Sequence, residues 1–390
     1  MKIFFSVGEP SGDQHAAHLV AELQSARRDI ECIGFGGPSM RDAGCRIDFE
    51  LTELAVMGVL KVLPLIQKFR GLLRQATELF ERERPDAVIL VDFPGFNWWI
   101  ARAAKRAGIP VFYYCPPQLW AWAAWRIRKV KRFVDHVLAC LPFEAEWYQK
   151  RGVAAKYVGH PFFDEIADKP LDASFLRMQR AAEGRRIAIL PGSRTHEVHA
   201  NFPIQIEVMR KLAREFPDIR FLVANYKESQ RQYCEQLIQK SAADLPIELH
   251  VGKTSEILEL AECCLMVSGS VSLEVLARGI PAVVQYRGDW IFALIASLLV
   301  RCRFMTLPNL VVDREIMPEY WIIGSFYLRR TTEKITNHFR NWLSSPMELA
   351  RAALPLLELR DTLAKTGATK NAARFVLEKL EISEQRVRAA

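Results

Sequence analysis

The chain has 390 residues, half of them hydrophobic and a quarter charged, with 20 Gly and 20 Pro. That balance belongs to a globular protein with a real core and excludes collagen-like and broadly disordered readings; the length suggests two to three domains of roughly 150 residues. The formal net charge of +8 suggests an anionic partner: phosphate, nucleic acid or an acidic membrane surface. A first series of short apolar runs, at residues 3–7, 30–35, 87–92, 110–115, 136–140 and 156–159, reads as strands. Helical stretches such as 16–26 and 96–107 lie between them. A polar stretch over 164–186 follows. A second series of strands then occupies 187–190, 219–224, 247–251, 264–268 and 282–286, with helices at 198–216 and 271–278. From about residue 346 the pattern is helical to the end. Strands that alternate with helices, and are apolar throughout, predict parallel sheets covered on both faces. The expected fold class is α/β: two Rossmann-like, doubly wound domains facing across a cleft, with ligands at the carboxyl ends of the strands. The expected boundaries are 1–165, 166–350 and a helical 351–390 that packs back across the first domain.

The eight cysteines show no CxxC pair and no regular spacing, which reads as reduced core thiols rather than a disulfide framework. The apolar run near residue 1 is too short for the core of a signal peptide. The apolar stretch at 290–300, broken only by Ser297, is well under the ~20 residues of a spanning helix. A soluble chain, or one that lies on a membrane without crossing it, is expected; a spanning one is not.

The polar residues gather where the strands end. The first strand runs into Gly8-Glu9-Pro10-Ser11-Gly12-Asp13 and then a helix carrying His15 and His18. Such a turn lets backbone N–H groups approach an anion; it is equally a tight turn with Asp13 as helix cap. The two histidines are one turn apart, but no third ligand is signalled for a metal. Gly34-Phe35-Gly36-Gly37 lacks the GxGxxG spacing of a dinucleotide site. The strand at 87–91 delivers Asp92, where partial desolvation would raise its pKa into the range of a general base; Asn97 competes with it for the capping role. Residues 116–129 are dense in Trp and cations, a composition that stacks bases or rests on lipid, or forms a core helix with a solvated basic face. No nucleic-acid module surrounds it. In the second half, Leu190-Pro191-Gly192-Ser193-Arg194 and Ser268-Gly269-Ser270-Val271-Ser272-Leu273-Glu274 each follow a strand and open a helix. Small residues there suit a diphosphate, Arg194 adds a charged contact, and Glu274 is placed to accept ribose hydroxyls. There is no Walker sequence.

These motifs, in this order, resemble the lipid A disaccharide synthase family: GEPSGD at 8–13, the Met57–Gly58 pair, VDFPGFN at 91–97, PPQLWAW at 116–122, LPFE at 141–144, VGHP at 158–161, LPGSR at 190–194, SGSVSLE at 268–274 and LPN at 307–309. The resemblance covers roughly residues 1–380. It implies a GT-B glycosyltransferase that needs neither metal nor cofactor, with the acceptor in the N-terminal domain and the donor nucleotide in the C-terminal one. The implied reaction joins UDP-2,3-diacylglucosamine to 2,3-diacylglucosamine 1-phosphate (lipid X), with inversion, to give a β-1,6 disaccharide 1-phosphate and UDP. The implied base is Asp92; His15, on the neighbouring helix, is placed either to assist it or to bind the acceptor phosphate. Glu9, Ser11, Asp13, Asn97 and Met57 fall on the acceptor side. Ser193, Arg194, Gly269, Ser270, Ser272, Glu274, Asn309 and Glu319 fall on the UDP side.

The implied location is the cytoplasmic face of the inner membrane, peripherally bound; nucleic acid is not an expected partner, and both a monomer and a homodimer stay open. The sequence departs from the family pattern at Lys61, at Ala123 and at Tyr320-Trp321-Ile322. Acylated substrates call for an apolar entry. Residues 51–69, with Val56, Met57, Val59, Leu60, Leu63 and Ile66, are one candidate, and 290–304, flanked by Arg287, Arg301 and Arg303, is a second.

Overall fold

The computed structural model describes residues 1–55, 62–288, 302–324 and 328–389. They divide into two compact units, Met1–Glu165 with Lys365–Ala390, and Ile166–Ala364. The first holds a seven-stranded sheet: β1 (Lys2–Val7), β2 (Glu31–Gly36), β3 (Arg46–Glu50), β4 (Ala87–Val91), β5 (Val111–Tyr114), β6 (His136–Ala139) and β7 (Ala155–Tyr157). Every pairing is parallel and the order is β3-β2-β1-β4-β5-β6-β7. A strand with helices on both faces has no wet side, and β4 accordingly reads Ala-Val-Ile-Leu-Val, all five buried. The core lies in two layers. Phe4, Phe35, Phe80 and Tyr113 fill one face, and Ile3, Phe5, Ile89 and Phe112 the other.

The second unit holds β8 (Arg185–Leu190), β9 (Ile219–Asn225), β10 (Ile247–Val251), β11 (Cys263–Val267), β12 (Ala282–Gly288) and β13 (Glu319–Ile323). They form a parallel six-stranded sheet in the order β10-β9-β8-β11-β12-β13. Two strands escape the sequence pattern, β3 and β13. Both are edge strands. In Arg-Ile-Asp-Phe-Glu the pairing with β2 slips by one residue between Ile47 and Phe49, which pack against opposite faces of the sheet, and a run that short and irregular carries little periodic signal.

The C-terminal helices part company. Pro346–Leu363 stays with the second unit, and the chain returns to the first at residue 365 rather than at 351. The returning helix, Ala368–Ala389, lays Ala372, Ala373, Val376 and Leu380 against Ala16, Leu19, Val20 and Leu23 of the helix Pro10–Ala26. Each large apolar side chain so buried contributes roughly 1.5–3 kcal/mol. Its start is pinned by Asp164, which accepts from Gly367 N–H (2.6 Å), Thr369 N–H (2.9 Å) and Thr369 Oγ1–H (2.9 Å).

All eight cysteines are free, six of them buried. Among the described residues, no helix is long and apolar enough to cross a membrane. Met57 and Lys61, and most of the apolar positions at 56–66 and 290–301, lie outside the described residues; Ile66 is inside them and exposed.

In both sheets the strand order reverses once, β4 lying beside β1 and β11 beside β8. In register, Val7 faces Val91 and Leu190 faces Met266. The loops after these strand pairs therefore leave the sheets side by side, at the points where doubly wound folds bind ligands.

Candidate active site

At the first reversal, β1 ends in Gly8 and half-buried Glu9, which caps the helix Pro10–Ala26, with Pro10 at its first position. Ser11 is exposed on the first turn. Beside it β4 ends in Asp92 and Phe93, both in the left-handed region at φ 43° and 45°. Each such non-glycine residue costs on the order of 1–3 kcal/mol, so neighbouring contacts must impose it. They are on hand. Buried Asn97 accepts from Ser6 Oγ–H (2.6 Å), and its Nδ2 donates to the carbonyls of Asp92 (2.8 Å), Ser6 (3.1 Å) and Val91 (3.3 Å). Tyr113 Oη–H donates to the same Asp92 carbonyl at 2.8 Å. Gly8 makes room for the turn: a Cβ there would lie 2.2 Å from the Phe93 ring. The half-buried Asp92 carboxyl is pushed above its ordinary pKa by desolvation; the Phe93 N–H and the nearby His15 only moderate this.

His15 Nδ1 lies 2.6 Å from Glu165 Oε1, and His18 Nδ1 lies 3.9 Å from the same oxygen. With the carboxylate accepting, His15 Nδ1 carries a proton and donates to it. His160 stands edge-on to His15, with ring centroids 6.2 Å apart. Burial drives its pKa down to about 3, so it is neutral. The two helix histidines thus share a carboxylate, and among the described residues no group of three or more potential ligands is placed to hold a metal.

Asp13 does something the sequence reading did not foresee. It is buried and does not cap its own helix, a position Glu9 takes. Its carboxylate accepts from the N–H groups of Gly37 (2.8 Å), Ser39 (2.9 Å) and Met40 (3.3 Å), capping the short helix Pro38–Asp42 from outside. Asp13 and Asn97 are buried and brace the loops.

The Trp-rich segment is tied to the LPFE helix, Pro142–Gln149. Glu144 accepts from Trp120 Nε1–H and Cys140 N–H, both at 3.1 Å, and Tyr148 Oη–H donates to the Pro117 carbonyl at 3.1 Å. Burial pushes the Glu144 pKa up to about 7.

At the second reversal the two loops differ. After β8, Gly192 takes φ 123°, where a Cβ would lie 2.6 Å from Glu197 Cβ. Glu197 is nearly buried and accepts from the N–H groups of Ser193 and Arg194, both at 3.1 Å. Those two donors are therefore spent on the cap of helix Thr195–Glu215. What this loop offers outward is the Arg194 guanidinium, 73% exposed, 3.5 Å from Glu197 Oε1. The Ser193 carbonyl is tied to Gln230 Nε2–H at 2.9 Å.

After β11, Gly269 and Ser270 are exposed at the start of helix Val271–Arg278, which carries no side-chain cap. Ser272 is turned inward, its hydroxyl donating to the Gly269 carbonyl at 2.8 Å. Glu274 is nearly buried, with Oε1 3.2 Å from Arg278 Nη1. The open helix N-terminus is here, and not at the first loop.

Asn309 and Glu319 are also committed internally. Asn309 Oδ1 accepts from Ile316 N–H (2.8 Å) and Met317 N–H (2.9 Å), while its Nδ2 donates to the Met317 carbonyl (2.7 Å) and Glu319 Oε1 (2.8 Å). Glu319 further accepts from Met305 N–H, Thr306 N–H and Thr306 Oγ1–H at 2.6, 2.8 and 2.6 Å. These two residues fold the segment 305–319.

Sequence reasoning missed Glu165, His160, Glu197 and Gln230. Glu197 had a signal, the glutamate three residues past a helix cap. Glu165 had none, since 150 positions separate it from His15.

Residues 3–337 match the family described as lipid-A-disaccharide synthetase. The lipid-A-disaccharide synthase of Myxococcus xanthus is 34% identical over 381 residues, 97% of each chain. Among solved structures, a UDP-GlcNAc 2-epimerase from Neisseria meningitidis bound to UDP-GlcNAc superposes with a TM-score of 0.65 at 15% identity. That match covers 97% of this chain and 100% of the other. MurG of Acinetobacter baumannii gives 0.59 at 14% identity, over 97% and 99%. At such low identities the structural matches establish the fold, GT-B, and no more. The sequence matches run through every motif set out above, so the chain belongs to the lipid-A-disaccharide synthetase family and is a glycosyltransferase of lipid A biosynthesis.

Proposed function

We propose that the chain transfers 2,3-diacylglucosamine from its UDP derivative to the 6-hydroxyl of 2,3-diacylglucosamine 1-phosphate, inverting the anomeric carbon and releasing UDP. The observation that carries this reading is Asp92: a desolvated carboxyl held on a left-handed turn at the β1/β4 reversal, beside His15. In this mechanism Asp92 takes the hydroxyl proton as that oxygen attacks the anomeric carbon. The C1–O bond to the diphosphate breaks on the opposite face. A hydrolase would need a second carboxyl to protonate a poor leaving alcohol. UDP leaves as an anion, and the uncapped N-terminus of helix Val271–Arg278 and the guanidinium of Arg194 would stabilise its growing charge.

In this reading Glu9, Ser11 and His15 meet the acceptor, and Ser193, Arg194, Gly269, Ser270 and Glu274 meet UDP. Asp13, Asn97, Ser272, Asn309 and Glu319 hold the loops in place. The first unit takes the acceptor and meets lipid; the second takes the donor. The enzyme works bound to the cytoplasmic face of the inner membrane, where its acylated substrates reside.

The test is UDP release from UDP-diacylglucosamine, with and without the acylated monosaccharide phosphate, in the presence of EDTA. Release that requires the acceptor and survives the chelator is expected. Release without acceptor would point to a hydrolase or an epimerase-like enzyme, and a loss restored by magnesium to a metal-dependent transferase.

Arg194→Ala isolates the donor half. A hydrogen bond to a charged group contributes about 1.5–3 kcal/mol, so UDP affinity by calorimetry should fall roughly tenfold to a hundredfold. Unchanged affinity would remove Arg194 from the donor site.

A further inference from the structure

Residues 93–134 contain no aspartate and no glutamate. They carry eight Lys and Arg, as many as the net charge of the whole chain, so everything outside this segment sums to zero. They also hold five of the chain's nine tryptophans. The fold turns much of this composition outward. Trp99 on the helix Pro94–Arg106 is 53% exposed, and Trp122 and Trp125, in the turn before the helix Ile127–Phe133, are 41% and 61% exposed.

The two helices pack together. Lys129 Nζ sits 5.9 Å from the ring of buried Trp98, and the Arg126 guanidinium 5.0 Å from that of exposed Trp122, so cations and indoles adjoin along the continuous face that these packed elements form. Among the described residues Lys105 alone of the eight has an acidic partner, Asp135 at 2.7 Å. A soluble surface seldom leaves three indoles in water. Indole is amphipathic and settles where hydrocarbon meets headgroup; unpaired Lys and Arg beside it meet anionic headgroups.

We propose that this face is a docking surface for a bilayer carrying anionic lipid. The Trp segment leaves the carboxyl end of β5, whose Tyr113 touches the Asp92 turn. Lipid held there would lie next to the acceptor loops. The proposal concerns where the first unit meets lipid and does not depend on the reaction assigned above. It also differs from the apolar stretch at 56–66, which carries the opposite balance of few charges and many aliphatic side chains.

The experiment is co-sedimentation with phosphatidylcholine vesicles, with and without phosphatidylglycerol, using the full chain. Wild type should sediment with the anionic vesicles, and less so at high salt. Each basic residue near the surface is worth about 1 kcal/mol, or about fivefold. Arg128→Gln with Lys131→Gln should therefore lower partitioning about 25-fold. Trp99→Ser with Trp125→Ser should lower it roughly tenfold or more, on both vesicle types, because apolar area is lost. All four positions are exposed, so the melting temperature and UDP release from detergent-dispersed substrates should not change.

Variants that partition like wild type would assign lipid contact to another surface and overturn the proposal. So would a wild type that ignores anionic vesicles, or one displaced from them by a single-stranded RNA. Absence of UDP release from the wild type in detergent would sink the assigned reaction instead and leave the vesicle result standing.

Discussion

Replacing Asp92 by Asn is expected to lower kcat by about a hundredfold or more, the usual cost of losing a general base, with UDP affinity nearly unchanged. The substitution is a clean one. Asn tolerates the left-handed region better than most residues, so the turn at φ 43° should survive. The braces on that turn, from Asn97 and Tyr113, reach the backbone carbonyl of Asp92 and not its side chain. Only the proton acceptor is removed. The pH dependence follows from desolvation, which raises the Asp92 pKa above its ordinary 3.8. The rate should fall as pH drops through that raised value, and this acid limb should vanish in the variant.

Stability should move the other way. A carboxyl whose folded pKa is raised costs nothing below its unfolded pKa and destabilises the fold as pH rises through the folded one. Asp92→Asn should therefore be more stable than wild type at neutral pH, with the difference lost in acid. A variant with wild-type turnover would take Asp92 out of the mechanism. One that loses both turnover and stability at neutral pH would instead make the carboxylate structural.

Asn309→Ala is expected to destabilise the second unit by about 3 kcal/mol or more. The substitution deletes two donated and two accepted hydrogen bonds in a fully buried site. It leaves the N–H groups of Ile316 and Met317 and the Met317 carbonyl without partners, each costing on the order of 1–3 kcal/mol. For a unit of this size that is a drop of roughly 6–12 °C in the unfolding midpoint. Calorimetric scans, with UDP titrated at a temperature where the variant is folded, separate bracing from binding. A midpoint within a degree or two of wild type, together with weakened UDP, would return Asn309 to the ligand site.

The motifs marking both sites were legible before any coordinates because they sit at strand ends, where a strand pattern breaks abruptly into Gly, Ser, Pro and a carboxylate. Gly8, Asp92, Gly192 and Gly269 all follow apolar strand runs, and periodicity alone locates such points. The alternation of strand and helix likewise determined two parallel α/β units, since a run like Ala-Val-Ile-Leu-Val is stable only when covered on both faces.

Strand order lay beyond that reasoning, and strand order decides which loops meet. Only when β4 returns beside β1, and β11 beside β8, do residues 8–13 adjoin 92–97 and residues 191–194 adjoin 268–270. What each polar residue does there was also left to the tertiary structure. An aspartate at a strand end looks the same in sequence whether it faces solvent, as a base must, or feeds three backbone N–H groups 24 to 27 positions away, as Asp13 does. Composition and local spacing determine which residues stand at the strand ends. Long-range hydrogen bonding determines which of them still has a lone pair to offer, because a buried N–H with no water in reach takes the nearest carboxylate.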